Sequence, residues 1–233
     1  MSPTPSRRAT ALQVVILAGG LGTRLSGVIS GPKALVPVHG RPLLAHLIDY
    51  VRDEGADEIL VAAGHGAAAV EEYLAREPVG AGVRVSVEPG PLGTAGALRF
   101  ALPQLQPTFG VLNGDTLLVG SLARLWKFHE GCRVEATIAV VPGAGTDYGT
   151  VAAECVPGRV TRFLEKTGGG AFVSAGLAVL ARPVIERVQA GPSSLERDVL
   201  PGLARRGQLW CFPFERMYDV GTPERLRKAD VEW

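Results

Sequence analysis

A glycine-rich loop near the start of the chain carries the residue types best suited to phosphate chemistry. It reads Ala18-Gly19-Gly20-Leu21-Gly22-Thr23-Arg24-Leu25 and follows a short apolar run. Glycines after a strand let backbone N–H groups approach phosphate oxygens closely, and the arginine in the loop can neutralise charge that develops on a phosphoryl group. With Pro32-Lys33 downstream, the loop predicts a phosphate-binding site; an ordinary glycine turn is the alternative. Its spacing matches neither the dinucleotide-binding fingerprint nor the P-loop.

The elements that must position this loop alternate between strand and helix. Short apolar, β-branched runs predict strands, and apolar residues that recur on one face predict helices. Such alternation predicts a parallel, doubly wound α/β sheet, whose ligands bind beyond the carboxyl ends of the strands. The glycine loop and Asp115 both follow such strands. The predicted strands are residues 12–17, 58–63, 83–87 and 109–112, and the predicted helices are residues 42–54, 67–76, 94–102 and 122–129.

The second half of the chain has a different pattern, with strands joined by glycine-rich turns. Helices return later, and the last one follows Thr222-Pro223. We therefore expect residues 11–233 to form a single α/β domain with extra strands in its second half, and residues 1–10 to form a disordered tail. The predicted strands here are residues 135–141, 150–153, 160–165 and 172–180, followed by helices at residues 183–189 and 194–205.

Composition and charge exclude several classes of protein. The chain has 233 residues, 46% of them hydrophobic, with 24 Lys and Arg against 23 Asp and Glu. This balance provides no field for general nucleic-acid binding, so any phosphate site must be local. No apolar run reaches the roughly 18 residues of a membrane span. Three widely spaced cysteines, Cys132, Cys155 and Cys211, predict a reduced, cytoplasmic protein.

Several short motifs occur in order along the chain. They are AGGLGTRL from Ala18, PKALVPV (Pro32–Val38), GRPLL (Gly40–Leu44), PLGTAGAL (Pro91–Leu98), NGD (Asn113–Asp115), YGTV (Tyr148–Val151), EK (Glu165-Lys166) and DVGTP (Asp219–Pro223). Each is weak alone, but the ordered set resembles the sugar-1-phosphate nucleotidyltransferase family (the NDP-sugar pyrophosphorylases) from Val14 to about Asp230. The resemblance implies a Rossmann-like α/β/α sandwich with a mainly parallel central sheet. It also implies an Mg²⁺-dependent enzyme that condenses a nucleoside triphosphate with a sugar 1-phosphate and releases pyrophosphate.

The resemblance implies a role for each matching residue. Arg24 and Lys33 would hold the triphosphate and stabilise charge during transfer, and Asp115 and Asp219 would bind Mg²⁺; these four form the implied catalytic set. The implied nucleotide-binding residues are Leu17, Ala18, Gly19, Gly20, Gly22, Thr23, Arg24, Lys33, Glu88, Gly93 and Thr94. The implied sugar-phosphate-binding residues are Asn113, Tyr148, Gly149, Glu165, Lys166, Ser174 and Gly176.

Plainer interpretations exist for three of these residues. Asp115 could be a turn residue after Asn-Gly, and Asp219 could cap the helix that begins near Thr222. Lys166 could be an exposed lysine at the end of a strand.

The base and the sugar are predicted from individual residues. A carboxylate only accepts hydrogen bonds and guanine offers two adjacent donors, so Glu88 favours GTP; a surface glutamate is the alternative. The stretches Arg24–Ser30 and Ser194–Asp198 most resemble the heptose 1-phosphate guanylyltransferase branch, which implies D-glycero-D-manno-heptose 1-phosphate; Ser194–Asp198 could equally be a capped helix start. Where the family usually has asparagine this chain has Ser174, so the sugar contact runs through water or the sugar differs.

Other functions stay open on the sequence alone. The same reaction could use UTP, CTP or ATP with a hexose or an N-acetylated amino sugar. A glycosyltransferase also places an acid after a strand to hold a metal-bound NDP-sugar, and a non-catalytic nucleotide-binding module could keep the fold. The expected partners are a nucleoside triphosphate and a sugar 1-phosphate, with neither nucleic acid nor membrane. Family members are often dimers or tetramers, so a homo-oligomer also stays open.

Overall fold

The computed structural model describes residues 11–20, 22, 31–143, 147–166 and 170–233. Its strands are β1 (Gln13–Ala18), β2 (Pro37–Val38), β3 (Arg41–Pro42), β4 (Glu58–Ala63), β5 (Val83–Val87), β6 (Thr108–Asn113), β7 (Thr116–Val119), β8 (Ala136–Pro142), β9 (Gly149–Ala153), β10 (Gly158–Glu165), β11 (Phe172–Ala181), β12 (Leu209–Pro213) and β13 (Arg216–Asp219). Its α-helices are α1 (Leu43–Asp53), α2 (Ala67–Arg76), α3 (Gly93–Phe100), α4 (Leu122–Cys132), α5 (Arg182–Glu186), α6 (Leu200–Arg205) and α7 (Pro223–Glu232). The predicted tail and the loop residues Leu21 and Thr23–Ser30 lie outside the described residues.

A nine-stranded sheet organises the described residues, with the order β5-β4-β1-β6-β11-β8-β12-β10-β9. The first four strands pair in parallel, as does β8 with β12. Strand β11 is antiparallel to β6 and β8, and β10 is antiparallel to β12 and β9. Among the described strands of this sheet, β10 and β11 therefore run against the rest. The predicted mainly parallel α/β sheet with extra strands in the second half is confirmed.

The core of the described part of the chain consists of two apolar clusters, one on each face of this sheet. Val14 and Ile16 of β1 belong to the first cluster and Val15 belongs to the second, because successive strand residues point to opposite faces. Helices α1, α2, α4 and α7 contribute to the first cluster, and α3, α5 and α6 contribute to the second. The continuous apolar run of β1 follows from burial on both faces, and the layers form the expected α/β/α sandwich.

Two helix starts decide between interpretations left open by the sequence. Thr222 caps α7, since its Oγ1 accepts the N–H of Arg225 at 3.3 Å. The interpretation of Asp219 as the cap of that helix is therefore wrong. Ser194 does cap its segment, since its Oγ accepts the N–H of Arg197 at 3.3 Å. The predicted single helix at 194–205 is divided, however, into a π-helical turn (Leu195–Val199) followed by α6.

Several elements differ from the sequence prediction. Strand β12 was not predicted, and neither were the β2–β3 hairpin and the two-stranded sheet of β7 and β13. The helix predicted at 94–102 begins at Gly93, ends at Phe100 and is followed by a 3-10 turn. The helix predicted at 183–189 is the shorter α5. In the part of the chain that the structure describes, no helix has both the length and the apolar character needed to cross a membrane.

Candidate active site

A cavity of about 300 Å³ lies at the carboxyl ends of β1, β4 and β6, and we call it the loop cavity. Eight of the residues predicted to bind a nucleotide line it: Leu17, Ala18, Gly19, Gly20, Lys33, Glu88, Gly93 and Thr94. Gly22 lies beside the cavity lining, because a Cβ on it would be 3.3 Å from the Cβ of Lys33. Thr23 and Arg24, which were also predicted to contact the nucleotide, lie outside the described residues.

Glu88 forms part of the wall of the loop cavity, where it follows strand β5. A Cβ on Gly19 or on Gly64 would lie 2.4 or 2.3 Å from its Oε1, so the carboxylate occupies space that only glycines leave free. Its Oε2 is buried and has no hydrogen-bond partner among the described residues. Burial raises the pKa of this carboxyl above its usual value, because the low-dielectric surroundings disfavour the charged form. An unpaired buried acceptor at a cavity wall is suited to a ligand that brings N–H donors.

Thr94 joins the loop cavity to the segment that precedes α6. Its hydroxyl donates to Glu196 Oε2 at 2.8 Å and accepts the N–H of Leu195 at 2.7 Å. The hydroxyl is therefore engaged within the protein, so the side chain of Thr94 serves to hold α3 against that segment. Its contact with a nucleotide remains a prediction.

A second cavity of about 390 Å³ adjoins the first, and we call it the acidic cavity. Every residue predicted to bind the sugar phosphate lines it: Asn113, Tyr148, Gly149, Glu165, Lys166, Ser174 and Gly176. The two candidate metal ligands, Asp115 and Asp219, line it as well. Asn113 and Asp115 belong to both cavities, so a ligand in one cavity would meet a ligand in the other at these two residues.

The two-stranded sheet of β7 and β13 brings the two aspartates together. Asp219 is paired with Thr116, the residue after Asp115. The N–H of Val220 also donates to the backbone carbonyl of Asp115 at 3.0 Å. The aspartates are far apart in sequence, and this pairing places both at the edge of the acidic cavity.

Each of these aspartates is paired with a basic side chain. Lys33 Nζ lies 2.6 Å from Asp115 Oδ2, and Arg225 Nη1 lies 2.6 Å from Asp219 Oδ2. Asp219 also accepts the hydroxyl of Tyr148 and the N–H of Gly221. Within the described residues no group of three or more His, Cys, Asp and Glu could hold a metal ion. Asp115 and Asp219 are thus the two candidate carboxylate ligands. Two carboxylates suit Mg²⁺, because this ion commonly binds one or two protein carboxylates together with substrate phosphates.

Glu165 and Lys166 close the acidic cavity at the end of β10. Burial raises the pKa of the Glu165 carboxyl, and the nearby Glu196 carboxylate raises it further. Its Oε2 is buried without a partner among the described residues, while Lys166 Nζ lies 3.6 Å from its Oε1. The Lys166 side chain is 62% exposed, as the interpretation of a strand-end lysine expects, yet it borders the cavity.

A bulge in β11 places Ser174 and Gly176 at the floor of the acidic cavity. The register with β8 shifts between Ser174 and Ala178, and Gly176 has a φ of +74°. A Cβ at Gly176 would lie 3.0 Å from the Asn113 amide nitrogen. This glycine therefore lets Asn113 occupy the boundary between the two cavities.

Four charged residues that line the acidic cavity were not predicted as site residues from the sequence. Asp147 and Arg225 were not predicted, and Glu196 and Arg197 had been interpreted only as part of a helix start or a family-like stretch. The position of Arg225 was visible in the sequence, since Arg225 comes shortly after Asp219, in the first turn of the last helix. Its direction toward Asp219 depends on the helix geometry, which the sequence alone does not display.

The sheet is doubly wound, and a glycine loop follows its strand β1. Two carboxylates and two adjoining cavities lie beside this loop. This arrangement is typical of enzymes that bind nucleotides. The comparison with protein families agrees with this class: the family described as "Nucleotidyl transferase" matches residues 13–232. The chain belongs to that family.

Two relatives of known sequence are longer than this chain. The mannose-1-phosphate guanylyltransferase catalytic subunit beta of Xenopus tropicalis is 32% identical over 225 residues, which cover 91% of this chain and 62% of that protein. The mannose-1-phosphate guanyltransferase of Neurospora crassa is 34% identical over 224 residues, with the same two coverages. The chain thus spans less than two thirds of the length of these relatives.

Solved structures show the same fold over nearly the whole chain. HddC from Yersinia pseudotuberculosis has a TM-score of 0.79 and 30% identity, and the match covers 94% of this chain and 98% of that one. HddC has also been solved in a complex with GMP-PN, with a TM-score of 0.78 to this chain. UDP-glucose pyrophosphorylase from Acinetobacter baumanii has a TM-score of 0.82 at 20% identity, covering 95% of this chain and 92% of that one; this match concerns the fold alone.

Proposed function

We propose that this chain transfers a nucleotidyl group from a nucleoside triphosphate to a sugar 1-phosphate. The observation that carries the proposal is the meeting of the loop cavity and the acidic cavity at Asn113 and Asp115. An oxygen of the sugar phosphate attacks the α-phosphorus, the bond from that phosphorus to the β-phosphate oxygen breaks, and pyrophosphate leaves. A phosphate monoester is already a nucleophilic anion, so the protein positions the two anions and stabilises charge.

Basic residues and two carboxylates divide the work of charge stabilisation. Lys33, partly buried beside Asp115, and Arg24 would bind the triphosphate. Asp115 and Asp219 would hold Mg²⁺, which when bound neutralises phosphate charge. Lys166 would hold the phosphate of the sugar substrate, and Tyr148 and Glu165 would contact the sugar.

The proposed nucleotide is GTP, and Glu88 would recognise its base. The buried Oε2 of Glu88, which has no partner among the described residues, supports this choice, because guanine presents N1–H and N2–H side by side to a carboxylate. Two further observations support it: the relatives from Xenopus tropicalis and Neurospora crassa are guanylyltransferases, and HddC was solved with GMP-PN.

The proposed sugar substrate is D-glycero-D-manno-heptose 1-phosphate. Support comes from the stretches Arg24–Ser30 and Ser194–Asp198 and from Ser174, whose short side chain lines the acidic cavity and leaves more room than asparagine. Mannose 1-phosphate is the second candidate, because the relatives from Xenopus tropicalis and Neurospora crassa are mannose-1-phosphate guanylyltransferases.

The proposal extends to the setting in which the chain acts. We propose one cytoplasmic domain over residues 11–233, because both apolar clusters pack against the same sheet and the three cysteines form no disulfide.

Pyrophosphate release tests the proposed reaction. The protein is incubated with Mg²⁺, each of GTP, ATP, UTP, CTP and dTTP, and a panel of sugar 1-phosphates that includes the heptose and mannose compounds. We expect release with GTP and the heptose phosphate. Release with GTP and mannose 1-phosphate alone would select the second sugar, and release with another nucleotide alone would contradict the role of Glu88. Consumption of an NDP-sugar without added triphosphate would instead indicate a glycosyltransferase, and tight triphosphate binding without turnover would indicate a binding module.

Asp115→Asn tests the metal assignment within the same assay. The amide keeps the size of the side chain and removes its charge, so we expect the rate to fall by about a hundredfold or more, as for other groups that stabilise transferring charge. Chelation of divalent ions should abolish the activity of the unmodified protein. An unchanged rate in Asp115→Asn would contradict the assignment.

A further inference from the structure

Arg225 reaches from the first turn of α7 into the acidic cavity. Its Nη1 lies 2.6 Å from Asp219 Oδ2, and its Nη2 donates to Asp147 Oδ2. Its guanidinium carbon lies 5.2 Å from the centre of the Tyr148 ring. Helical side chains point toward the N-terminus of their helix, which directs Arg225 back toward Asp219. Three contacts on three different residues therefore fix this side chain, and only 26% of it is exposed.

The acidic cavity has the wrong charge for an anionic ligand in its present state. Carboxylates outnumber basic residues among the described residues of its lining, with Asp115, Asp147, Glu165, Glu196 and Asp219 against Lys166, Arg197 and Arg225. A sugar phosphate brought to this wall would be repelled unless some of these carboxylates acquired cations. Binding of the phosphate therefore requires that charges in the cavity be rearranged.

Each of the two candidate metal ligands forms an ion pair with a basic side chain. Lys33 is paired with Asp115, and Arg225 is paired with Asp219. A divalent cation on either carboxylate would be close to the basic side chain there and would repel it. Lys33 then has an evident destination, because it also lines the loop cavity, where the triphosphate is proposed to bind. Arg225 correspondingly lines the acidic cavity, where the sugar phosphate is proposed to bind.

We propose that Arg225 is a phosphate-binding residue for the sugar 1-phosphate. Asp219 holds the Arg225 guanidinium until a divalent cation binds Asp219 in place of the guanidinium. The inference rests on the proposed function and names one more residue of the same site. After the exchange, Asp147 and the Tyr148 ring still hold the guanidinium at the cavity. Its planar N–H groups match two phosphate oxygens better than an ammonium group does.

Mn²⁺ binding to the nucleotide-free protein tests the exchange without any turnover. We expect Arg225→Gln to bind Mn²⁺ about tenfold more tightly than the unmodified protein, measured by electron paramagnetic resonance of the free ion, because Asp219 loses its competing cation. Arg227→Gln, a change on the same helix at a side chain that is 75% exposed, is the matched control and should bind Mn²⁺ as the unmodified protein does. A merely structural arginine would leave Mn²⁺ affinity unchanged or lower when removed, so either of those results would overturn the proposal.

The KM for the sugar 1-phosphate tests the second half of the exchange. We expect Arg225→Gln to raise it about tenfold, with little change in the KM for GTP. Arg225→Lys keeps the charge that pairs with Asp219, so it preserves the folded protein and near-normal Mn²⁺ affinity, but it should still raise the sugar-phosphate KM several-fold because it lacks the planar fork. An unchanged KM in both variants would overturn the proposal. If no substrate pair is turned over, the proposed function fails, while the Mn²⁺ comparison still decides whether Arg225 competes for Asp219.

Discussion

At the scale of single residues, two buried carboxylate oxygens have no partner among the described residues, and both belong to cavities. They are Oε2 of Glu88 and Oε2 of Glu165, and burial raises the pKa of both carboxyls. A buried acceptor without a donor costs stability. Such a cost is retained at sites that gain the missing donors from a ligand. The two residues therefore mark the base-binding end and the sugar-binding end of the proposed site.

Glu88→Gln should weaken GTP binding and stabilise the free protein. The amide cannot accept two N–H groups from guanine, so we expect the KM for GTP to rise by about tenfold to a hundredfold. Because the folded pKa of Glu88 is raised, the folded protein binds the proton more tightly than the unfolded chain, and the cost of ionisation is present above that pKa. At pH 7 the neutral amide avoids this cost, so we expect Glu88→Gln to melt at a higher temperature than the unmodified protein.

The KM for GTP and the melting temperature are measured for the unmodified protein, Glu88→Gln and Glu71→Gln. Glu71→Gln, on the exposed face of α2, is the control and should change neither quantity. Acidification should also raise the KM for GTP in the unmodified protein as Glu88 gains its proton, and Glu88→Gln should lack that dependence. Normal GTP binding by Glu88→Gln at neutral pH would contradict the role of Glu88 in base recognition.

At the scale of elements, the sequence predicts well what depends on local pattern. The bounds predicted for β4, α2 and β5 agree with the structure, because apolar periodicity and turn residues limit each element from nearby positions. Strands β7 and β13 were missed because each has four residues and its partner lies far away in sequence. Their pairing joins Asp115 to Asp219, so local pattern could not place the two carboxylates together. Only the resemblance to a family associated them.

A buried histidine forms a hydrogen bond between α4 and the sheet, and protonation of this histidine should destabilise the fold at low pH. His129 Nδ1 lies 2.9 Å from the hydroxyl of Thr137 in β8, and burial lowers its pKa to about 4 from 6.5. In the unfolded chain the ring takes a proton near its ordinary pKa, so the folded state is penalised as the pH falls from 6.5 toward 4. We expect this residue to cost roughly 3 kcal/mol of unfolding free energy across that window.

Urea unfolding at a series of pH values measures this loss. His129→Gln should flatten the dependence between pH 6.5 and 4, although the change in packing lowers stability at neutral pH. His65→Gln, at an exposed position, should leave the pH profile as it is. A profile that keeps its full slope in His129→Gln would exclude His129 as the source.

The start of α3 depends on a glycine that also approaches another segment closely. Gly93 has a φ of +71°, and a Cβ on it would lie 2.6 Å from the carbonyl oxygen of Ser193. Gly93→Ala combines a left-handed backbone with this clash, so we expect a loss of about 2 kcal/mol or more in unfolding free energy. Gly82→Ala is the matched control, since Gly82 has a φ of +74° and open space around its Cβ position; it should cost only about 1 kcal/mol. Equal losses in chemical unfolding would show that the contact with Ser193 is unimportant.

At the scale of the whole molecule, the sequence predicted the position of the two cavities better than it predicted how the charges in them are paired. The rule that ligands bind beyond the carboxyl ends of parallel strands located the loop cavity. Net charge near zero gave no indication of an acidic cavity, because the balance of charge in a cavity depends on which side chains the fold turns inward. Arg225 and Asp147 are contributors of this kind.

The fate of the α-phosphate tests the central claim most directly. GTP labelled at the α-phosphate is incubated with the protein, Mg²⁺ and the heptose or mannose 1-phosphate, and the products are separated. If the two cavities deliver their ligands to one another at Asp115, the label appears in GDP-sugar in step with pyrophosphate, and Asp115→Asn lowers both signals together by about a hundredfold or more. Label that remains in GTP with every sugar phosphate, or that appears only as free GMP, would contradict nucleotidyl transfer at this site.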